Sequence, residues 1–413
     1  MRLSLEKPHS MDIKRWWWPS IEEQNDLSFE QATEKVRELF LQNVRLHMRS
    51  DVPIGAALSG GVDSSAIVCA MRYLEPKIPI HTFSYVARGY SVNEEPWVDL
   101  VNEQISAIPH KVVIQPKELA KDLDDLIRIQ GEPFGSTSIY AQYRVFKAAR
   151  QEGITVMLDG QGADELLAGY FGYPGARILS LLNENRIKKI FSLIRYWFQN
   201  TNANTYLKFL LLAHDAIPEN MQGFGRKLIG KHSQPFWINR NFLEKNNINI
   251  KYPKPIHLPS SKEDNGRRLS GTLRKKICGH GLMKLLRLED RNSMCNSIES
   301  RVPFLTTEFA ETTLGLPEDF LLSSKAETKY VFRRSMKGIV PDKILKRKDK
   351  IGFNAPIFNT LKLGEDFNLD YTGHIFNKVL VTEKLKNAQN HNLVIDDQSW
   401  RIINFTKWMQ IMF

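Results

Sequence analysis

Residues 53–71 read Pro53-Ile54-Gly55-Ala56-Ala57-Leu58-Ser59-Gly60-Gly61-Val62-Asp63-Ser64-Ser65-Ala66-Ile67-Val68-Cys69-Ala70-Met71, and the fold follows from how this stretch divides. Its first part, residues 54–58, is a short uncharged run of small residues that suits a strand buried on both faces. From Ser64 onward the apolar residues come in a block that suits a helix. Between them Gly60 and Gly61 lack Cβ atoms, so the backbone reaches positive φ and its N–H groups can close around an oxyanion. The following helix points its positive dipole end at the same place, and Ser59, Ser64 and Ser65 add hydroxyl donors. A glycine turn that binds nothing would use the same residues, but the strand, turn and helix context of a phosphate or pyrophosphate pocket is present. Asp63 does not suit a pure anion site, since a carboxylate beside phosphates repels them unless a divalent cation lies between. It reads as a magnesium ligand. No Gly-Lys-Ser/Thr follows, so this is not a Walker A loop.

The chain on either side extends the alternation. Ser28 and Gln31 fit a capping box, and Ala32, Val36, Leu39, Phe40, Val44 and Met48 follow helical spacing toward the central strand. Downstream, strands are expected at residues 80–86, 111–114 and 154–158, with helices near 93–106, 119–129 and 138–150. This spacing predicts an α/β fold, a doubly wound parallel sheet. Ligands in such sheets sit beyond the carboxyl ends of strands, so residues 59–65 and the segment after Leu158 are expected to meet at one crevice. From about residue 179 the pattern turns helical, including 187–213; residues 231–268, rich in Asn, Lys, Pro and Ser, read as loop. Helical periodicity returns over 273–336 and again over 382–413. The expected organisation is a linker at 1–25 with Trp16-Trp17-Trp18-Pro19 pinned to a domain surface, an α/β core at 26–178, and a mostly helical portion at 179–413 that completes the active site.

A second glycine turn follows the strand expected at 154–158: Leu158-Asp159-Gly160-Gln161-Gly162-Ala163-Asp164-Glu165-Leu166-Leu167-Ala168-Gly169-Tyr170. Asp164 and Glu165 at a helix start could simply complement its dipole, an effect of a few tenths of a kcal/mol. Because the topology brings both turns to one crevice, the reading taken is that Asp164 joins Asp63 on a magnesium ion held by nucleotide phosphates.

Composition sets outer bounds. The chain has 413 residues, 42% of them hydrophobic, enough for two domains with their own cores. Cys69, Cys278 and Cys295 show no paired spacing of the kind a zinc site or disulfide framework needs, which suits a reducing, cytoplasmic setting. No charged-then-apolar leader and no run of about eighteen apolar residues is seen, so neither export nor membrane spanning is expected. A net charge of +11 would suit nucleic acid or a highly anionic substrate, but no nucleic-acid module accompanies it, and most of these residues read as solvated surface.

The run Ser59-Gly60-Gly61-Val62-Asp63-Ser64 resembles the pyrophosphate (PP-) loop of the ATP pyrophosphatase family, with its adenine nucleotide alpha hydrolase-like fold, whose members adenylate a substrate and release pyrophosphate. The second turn narrows the resemblance to the synthetase domain of the glutamine-dependent (type B) asparagine synthetases. Asp290-Arg291-Asn292-Ser293-Met294, Ser297-Ile298-Glu299-Ser300-Arg301-Val302-Pro303-Phe304-Leu305 and Lys348-Asp349-Lys350-Ile351-Gly352-Phe353 carry it along nearly the whole chain. The resemblance implies a loop of Ser59, Gly60, Gly61, Ser64 and Ser65 around pyrophosphate, Asp63 and Asp164 on Mg2+, and Leu58, Tyr85 and Gly160 lining ATP. Lys350 aligns with a lysine that stabilises charge on the reacting phosphate and acyl adenylate, with Lys348 the alternative if the alignment slips by two. Electrostatics favours an ammonium there, because carboxylate attack on the α-phosphate spreads negative charge that a dry cleft lets a cation neutralise.

Three departures follow. No glutaminase domain with its N-terminal cysteine is seen, residue 2 being Arg2, so free ammonia, a separate glutaminase subunit or another amine is expected. Gln161 stands where several family members have a glutamate; an amide cannot take up a proton, so base duty must pass elsewhere or disappear, with Glu165 and Glu299 the nearest candidates. Thr306 follows the Pro303-Phe304-Leu305 run where Asp is common, and Glu299 with Arg301 could equally form a structural ion pair. The expected function is an AMP-forming amide ligase that makes asparagine from aspartate through a β-aspartyl adenylate, with a homodimer as a possible assembly. The alternatives are a relative that closes a β-lactam or lasso-peptide ring with another amine, a tRNA-modifying pyrophosphatase, and a non-catalytic partner subunit.

Overall fold

The computed structural model describes residues 2–3, 6, 11–12, 15–24, 26–90, 93–170, 172–200, 237–248, 264, 266–348, 369–372, 374–390 and 397–413. Lys350 and residues 349–353 of its motif lie outside them, as do residues 201–213 of the expected long helix. Two short strands, β1 (Arg2–Leu3) and β2 (Met11–Asp12), pair antiparallel at the start of the chain.

The small-residue run becomes β3 (Ile54–Ala57), the centre of a five-stranded parallel sheet that also contains β4 (His81–Tyr85), β5 (Ile108–Val112), β6 (Val156–Leu158) and β7 (Glu299–Arg301). Small residues are needed at the centre: a Cβ on Gly55 would lie 3.0 Å from the Phe83 ring. The strand order is β5-β4-β3-β6-β7, so the chain builds outward from β3 on one side, then returns to its other side. Gly55 stands opposite both His81 and Met157. That reversal between β3 and β6 is the switch point at which such sheets form a ligand crevice. The α/β, doubly wound parallel sheet expected from the alternation is observed.

Helices cover both faces. On one side lie α1 (Phe29–His47), α2 (Val62–Leu74) and α3 (Glu95–Ile105), burying Val36, Phe40, Ile67, Val98 and Val101. The box at the start of α1 forms as its sequence requires, with Gln31 N–H donating to Ser28 Oγ at 3.2 Å and Ser28 N–H to Gln31 Oε1 at 2.8 Å. On the other side, α5 (Ser138–Gln151) packs Val145 and Phe146 against Phe83, Val112 and Met157. The helix α4 (Pro116–Gln130) and the terminal helix Asp397–Met412 share a third cluster around Trp400. The fifth strand comes from the later, mostly helical part, which therefore completes the sheet itself.

Two details differ from the sequence reading. The strand expected at 111–114 begins at Ile108, because Ile108 N–H donates to Ile80 O at 2.8 Å and starts the ladder there. Pro109 is tolerated since β5 is an edge. Within the expected loop 231–268, the described part holds a helix Arg240–Lys245 capped by Asn239. In the tryptophan run, Trp17 Nε1 donates to Glu311 at 3.0 Å, and the guanidinium groups of Arg15 and Arg274 lie over Trp18.

Candidate functional site

The first turn leaves β3 and enters α2 with φ of +75° at Gly60, where a Cβ would also lie 2.7 Å from Trp97 Cβ. Glycine is therefore needed both for the backbone angle and for the contact. The hydroxyls of Ser59 and Ser64 meet at 3.1 Å, and Ser64 Oγ also accepts from Ser59 N–H at 3.1 Å. No side chain caps α2, whose first turn carries Asp63. Ser65 turns inward instead: it is fully buried, and its hydroxyl has no hydrogen-bond partner among the described residues. Arg347 braces the loop from the far end of the chain, donating to Gly60 O at 2.8 Å and to Glu94 at 3.0 Å while stacking over Trp97.

The second turn follows β6, and a Cβ on Gly160 would lie 3.3 Å from Asp63 Cβ, so the two turns touch. Gly162 has φ of +87° and packs against Leu305, the end of the Val302-Pro303-Phe304-Leu305 run. Asp159 N–H donates to Arg301 O at 2.8 Å, which ties the turn to β7. The short helix Ala163–Leu166 then presents Asp164 toward Asp63.

Between the two carboxylates sits Lys329, a residue the sequence reading did not single out. Its Nζ lies 2.6 and 2.5 Å from the two Asp63 oxygens and 2.7 Å from Asp164 Oδ1. Burial works against this ammonium, but Asp164 and Asp63 outweigh it and leave its pKa above the ordinary value. Nothing in the Glu327-Thr328-Lys329-Tyr330 run marks it, because the contact exists only once residues 63, 164 and 329 are folded together. For a divalent ion the donor set is suitable: two hard carboxylates from separate turns converge on one point and already accept a cation there.

These groups line a cleft of about 1140 Å³ at the carboxyl ends of the strands. Its inner wall is apolar, formed by Ala57, Phe83, Ile139, Val145 and Phe146. Its mouth is ionic, with Asp63, Asp159, Asp164 and Lys329 inside and Arg334, Lys337, Lys346 and Lys348 toward the rim. Of the expected nucleotide-binding residues, Leu58, Ser59, Gly61, Asp63, Ser64 and Gly160 line it, as does Gln161. Tyr85 ends β4 and packs on the cluster around Phe83, its hydroxyl pushed up to about 12 by burial and by Tyr90.

The expected acids are placed differently from one another. Glu165 is buried and accepts from the Tyr170 hydroxyl at 2.7 Å. Glu299 begins β7, at the opposite end of the strand from the crevice. Arg301 donates to it at 2.8 Å, which holds its carboxyl below the ordinary value. Arg301 also donates to His47 O and Arg49 O at 2.7 Å, so that pair joins β7 to the end of α1. Asp159 does line the cleft; burial raises its carboxyl to about 6, against hydrogen bonds from the Gly160 and Gln161 amides. Behind it burial also raises Glu289, whose Oε1 accepts from Ser300 Oγ at 2.5 Å.

Fold and site together define a class: a parallel α/β sheet whose switch-point crevice joins a glycine turn at a helix start to a pair of convergent acids. Residues 35–410 match the family described as Asparagine synthase, and the chain belongs to that family, as its motifs imply. It is 29% identical over 353 residues to asparagine synthetase [glutamine-hydrolyzing] 1 of Bacillus subtilis, covering 81% of this chain and 51% of that protein. A putative asparagine synthetase [glutamine-hydrolyzing] of Mycobacterium tuberculosis is 26% identical over 402 residues, covering 92% of this chain and 57% of that protein. The chain thus spans about half the length of the curated relatives it matches. Among solved structures, the U34-tRNA thiolase NcsA from Methanococcus maripaludis aligns over 68% of this chain and 89% of its own, with 12% identity and a TM-score of 0.26.

Proposed function

We propose that the chain is an ATP-dependent, AMP-forming amide ligase that activates a carboxylate, the aspartate side chain first among candidates, and transfers it to ammonia. The observation that carries this reading is the convergence of Asp63 and Asp164 on one cation position beside the Gly60–Gly61 turn. In this reading the glycine turn and the Ser59 and Ser64 hydroxyls hold the departing pyrophosphate. The nucleoside lies along the apolar wall beyond Leu58. Asp63 and Asp164 would hold magnesium, which supplies positive charge against the phosphate oxygens when bound.

The substrate carboxylate attacks the α-phosphorus, pyrophosphate leaves, and the carboxyl group becomes a mixed anhydride with AMP, a far better leaving group than oxide. Ammonia then attacks that carbon and AMP departs. Lys350, three positions further along the sequence than Arg347, is assigned to charge on the reacting phosphate. The incoming amine must lose a proton, and Gln161 cannot take it. Asp159 is the acid that faces the cleft with a raised proton affinity, so it is the base in this scheme, in place of Glu165 and Glu299.

Ammonia from solution or from a separate glutaminase would serve equally. One observation favours a second reading, in which the same adenylation serves a bulkier amine or acid. The cleft extends beyond the two turns to Tyr196, Trp197 and Gln199 of the helix Ile187–Asn200. Pyrophosphate release with ATP, Mg2+ and aspartate, measured with ammonium and again with glutamine, tests the proposal. Turnover with ammonium alone is expected, and Asp63→Asn should reduce it by about 100-fold or more. An enzyme that releases no pyrophosphate with aspartate or any other carboxylate would end the ligase reading.

A further inference from the structure

Lys329 has features that a passive neighbour of the site does not need. It adopts the left-handed backbone region, φ 55° and ψ 34°, directly before the helix Tyr330–Ser335. An L side chain stays there only when its surroundings hold it. They do: Lys329 N–H donates to Leu167 O at 3.1 Å, and Lys329 O accepts from Arg333 N–H at 2.9 Å. The second turn is also shaped around it. A Cβ on Gly169 would lie 2.5 Å from Lys329 Cε and 1.8 Å from Asp164 Oδ1, so only glycine lets ammonium and carboxylate approach at that point.

The ammonium stands between the same two carboxylates that are read as holding the divalent ion, in contact with both. The two cations compete for one pair of acids. With the lysine in place the three side chains sum to one negative charge; without it they sum to two. A divalent ion loses its hydration shell reluctantly and gains little from carboxylates already neutralised in part.

We infer that Lys329 is a resident counter-ion: it occupies the Asp63–Asp164 pair until a metal–nucleotide arrives, then moves its ammonium from the carboxylates to the phosphates. The inference rests on the metal reading above. Its consequence is coupling between metal and nucleotide. Free metal must displace the lysine with no new anion to receive it, whereas metal bound to a polyphosphate brings that anion with it. Lys329 is thus a positioning residue that keeps the carboxylates preorganised and makes metal loading depend on nucleotide.

The test is Mn2+ binding to the folded, full chain, followed by electron paramagnetic resonance without nucleotide and again with a non-hydrolysable ATP analogue. The wild type is expected to bind free Mn2+ weakly and the Mn2+–analogue complex at least tenfold more tightly. Lys329→Met should tighten free Mn2+ binding at least tenfold and shrink the difference the analogue makes; Asp63→Asn added to it should abolish the gain. Lys329→Gln, which keeps a polar end on the stem, gives the same readout if the methionine variant does not fold. Should Lys329→Met and Lys329→Gln bind free Mn2+ no more tightly than the wild type, while all three bind it with the analogue, the counter-ion inference is wrong and the metal site stands. If no protein binds Mn2+ under either condition, it is the metal reading that fails.

Discussion

Gly169 shows how narrowly the cation pocket is drawn at the level of single atoms. A methyl group there would overlap Asp164 Oδ1 and crowd the buried Lys329 side chain. Gly169→Ala is expected to leave the fold intact by circular dichroism while cutting pyrophosphate release about 100-fold, since displacements near 1 Å have that effect at a reacting centre. Full activity in that variant would show that Asp164 does not act from this position. Asp159 makes a pH-dependent prediction. Its folded pKa of about 6 lies above the usual value of 3.8, so the charged form is disfavoured by folding. Stability therefore falls as pH rises from about 4 to 6 and stays lowered above that. Asp159→Asn should raise stability by up to about 3 kcal/mol at pH 7.5, with the gain vanishing below pH 4, as read from denaturant melts at both pH values. Asp63 and Asp164 could be read from the chain because each follows a glycine turn with a recognisable strand before it. Lys329 and Arg347 could not, since their partners lie hundreds of positions away and no local spacing marks them.

Elements were legible where a local rule governs them. The cap at Ser28, the periodicity of α1 and the small-residue strand all depend on neighbours within a few positions, and all are present. The start of β5 was misplaced because its register is set by Ile80, a contact that the composition of residues 108–114 does not encode. Thr306 illustrates the same distinction. In sequence it departs from the common aspartate, yet in the fold it caps the helix Thr307–Gly315 by accepting from Phe309 N–H at 3.3 Å, and it also accepts from Asn43 Nδ2 at 2.9 Å. Threonine and aspartate both provide the side-chain oxygen that a helix start requires. Thr306→Ala should cost about 1–2 kcal/mol in urea denaturation, whereas Thr306→Asp should stay close to wild type. Equal losses in the two variants would mean that the hydroxyl proton, not the cap, is what matters.

At the scale of the molecule, the two ends of the chain are joined through the site. The first turn comes from residues 58–64, the ammonium from 329, the brace from 347, and the fifth strand from 299–301. The terminal helix Asp397–Met412 reaches the same cleft indirectly. Trp400 is fully buried against Phe134, and Asn404 Oδ1 accepts from Phe134 N–H at 2.8 Å. Trp408 Nε1 donates to Gly131 O at 3.1 Å. Those contacts fix the connection between α4 and α5, and α5 supplies Ile139, Gln142, Val145 and Phe146 to the cleft wall. Buried Asn292 holds the same helix from behind, donating to Ile139 O at 2.9 Å and to Gln142 Oε1 at 3.1 Å. Trp400→Ala removes the largest fully buried side chain and leaves a cavity in the cluster it shares with Phe134, which should cost about 3–5 kcal/mol. If the terminal helix and the sheet form one cooperative unit, urea unfolding monitored by far-ultraviolet circular dichroism and by intrinsic fluorescence shifts together to lower midpoints. Nucleotide affinity measured well below that midpoint should weaken too, because α5 loses the support at its amino end. Separate transitions, with the early one leaving nucleotide binding unchanged, would show instead that the terminal helix packs on the α/β unit without holding the cleft wall in place.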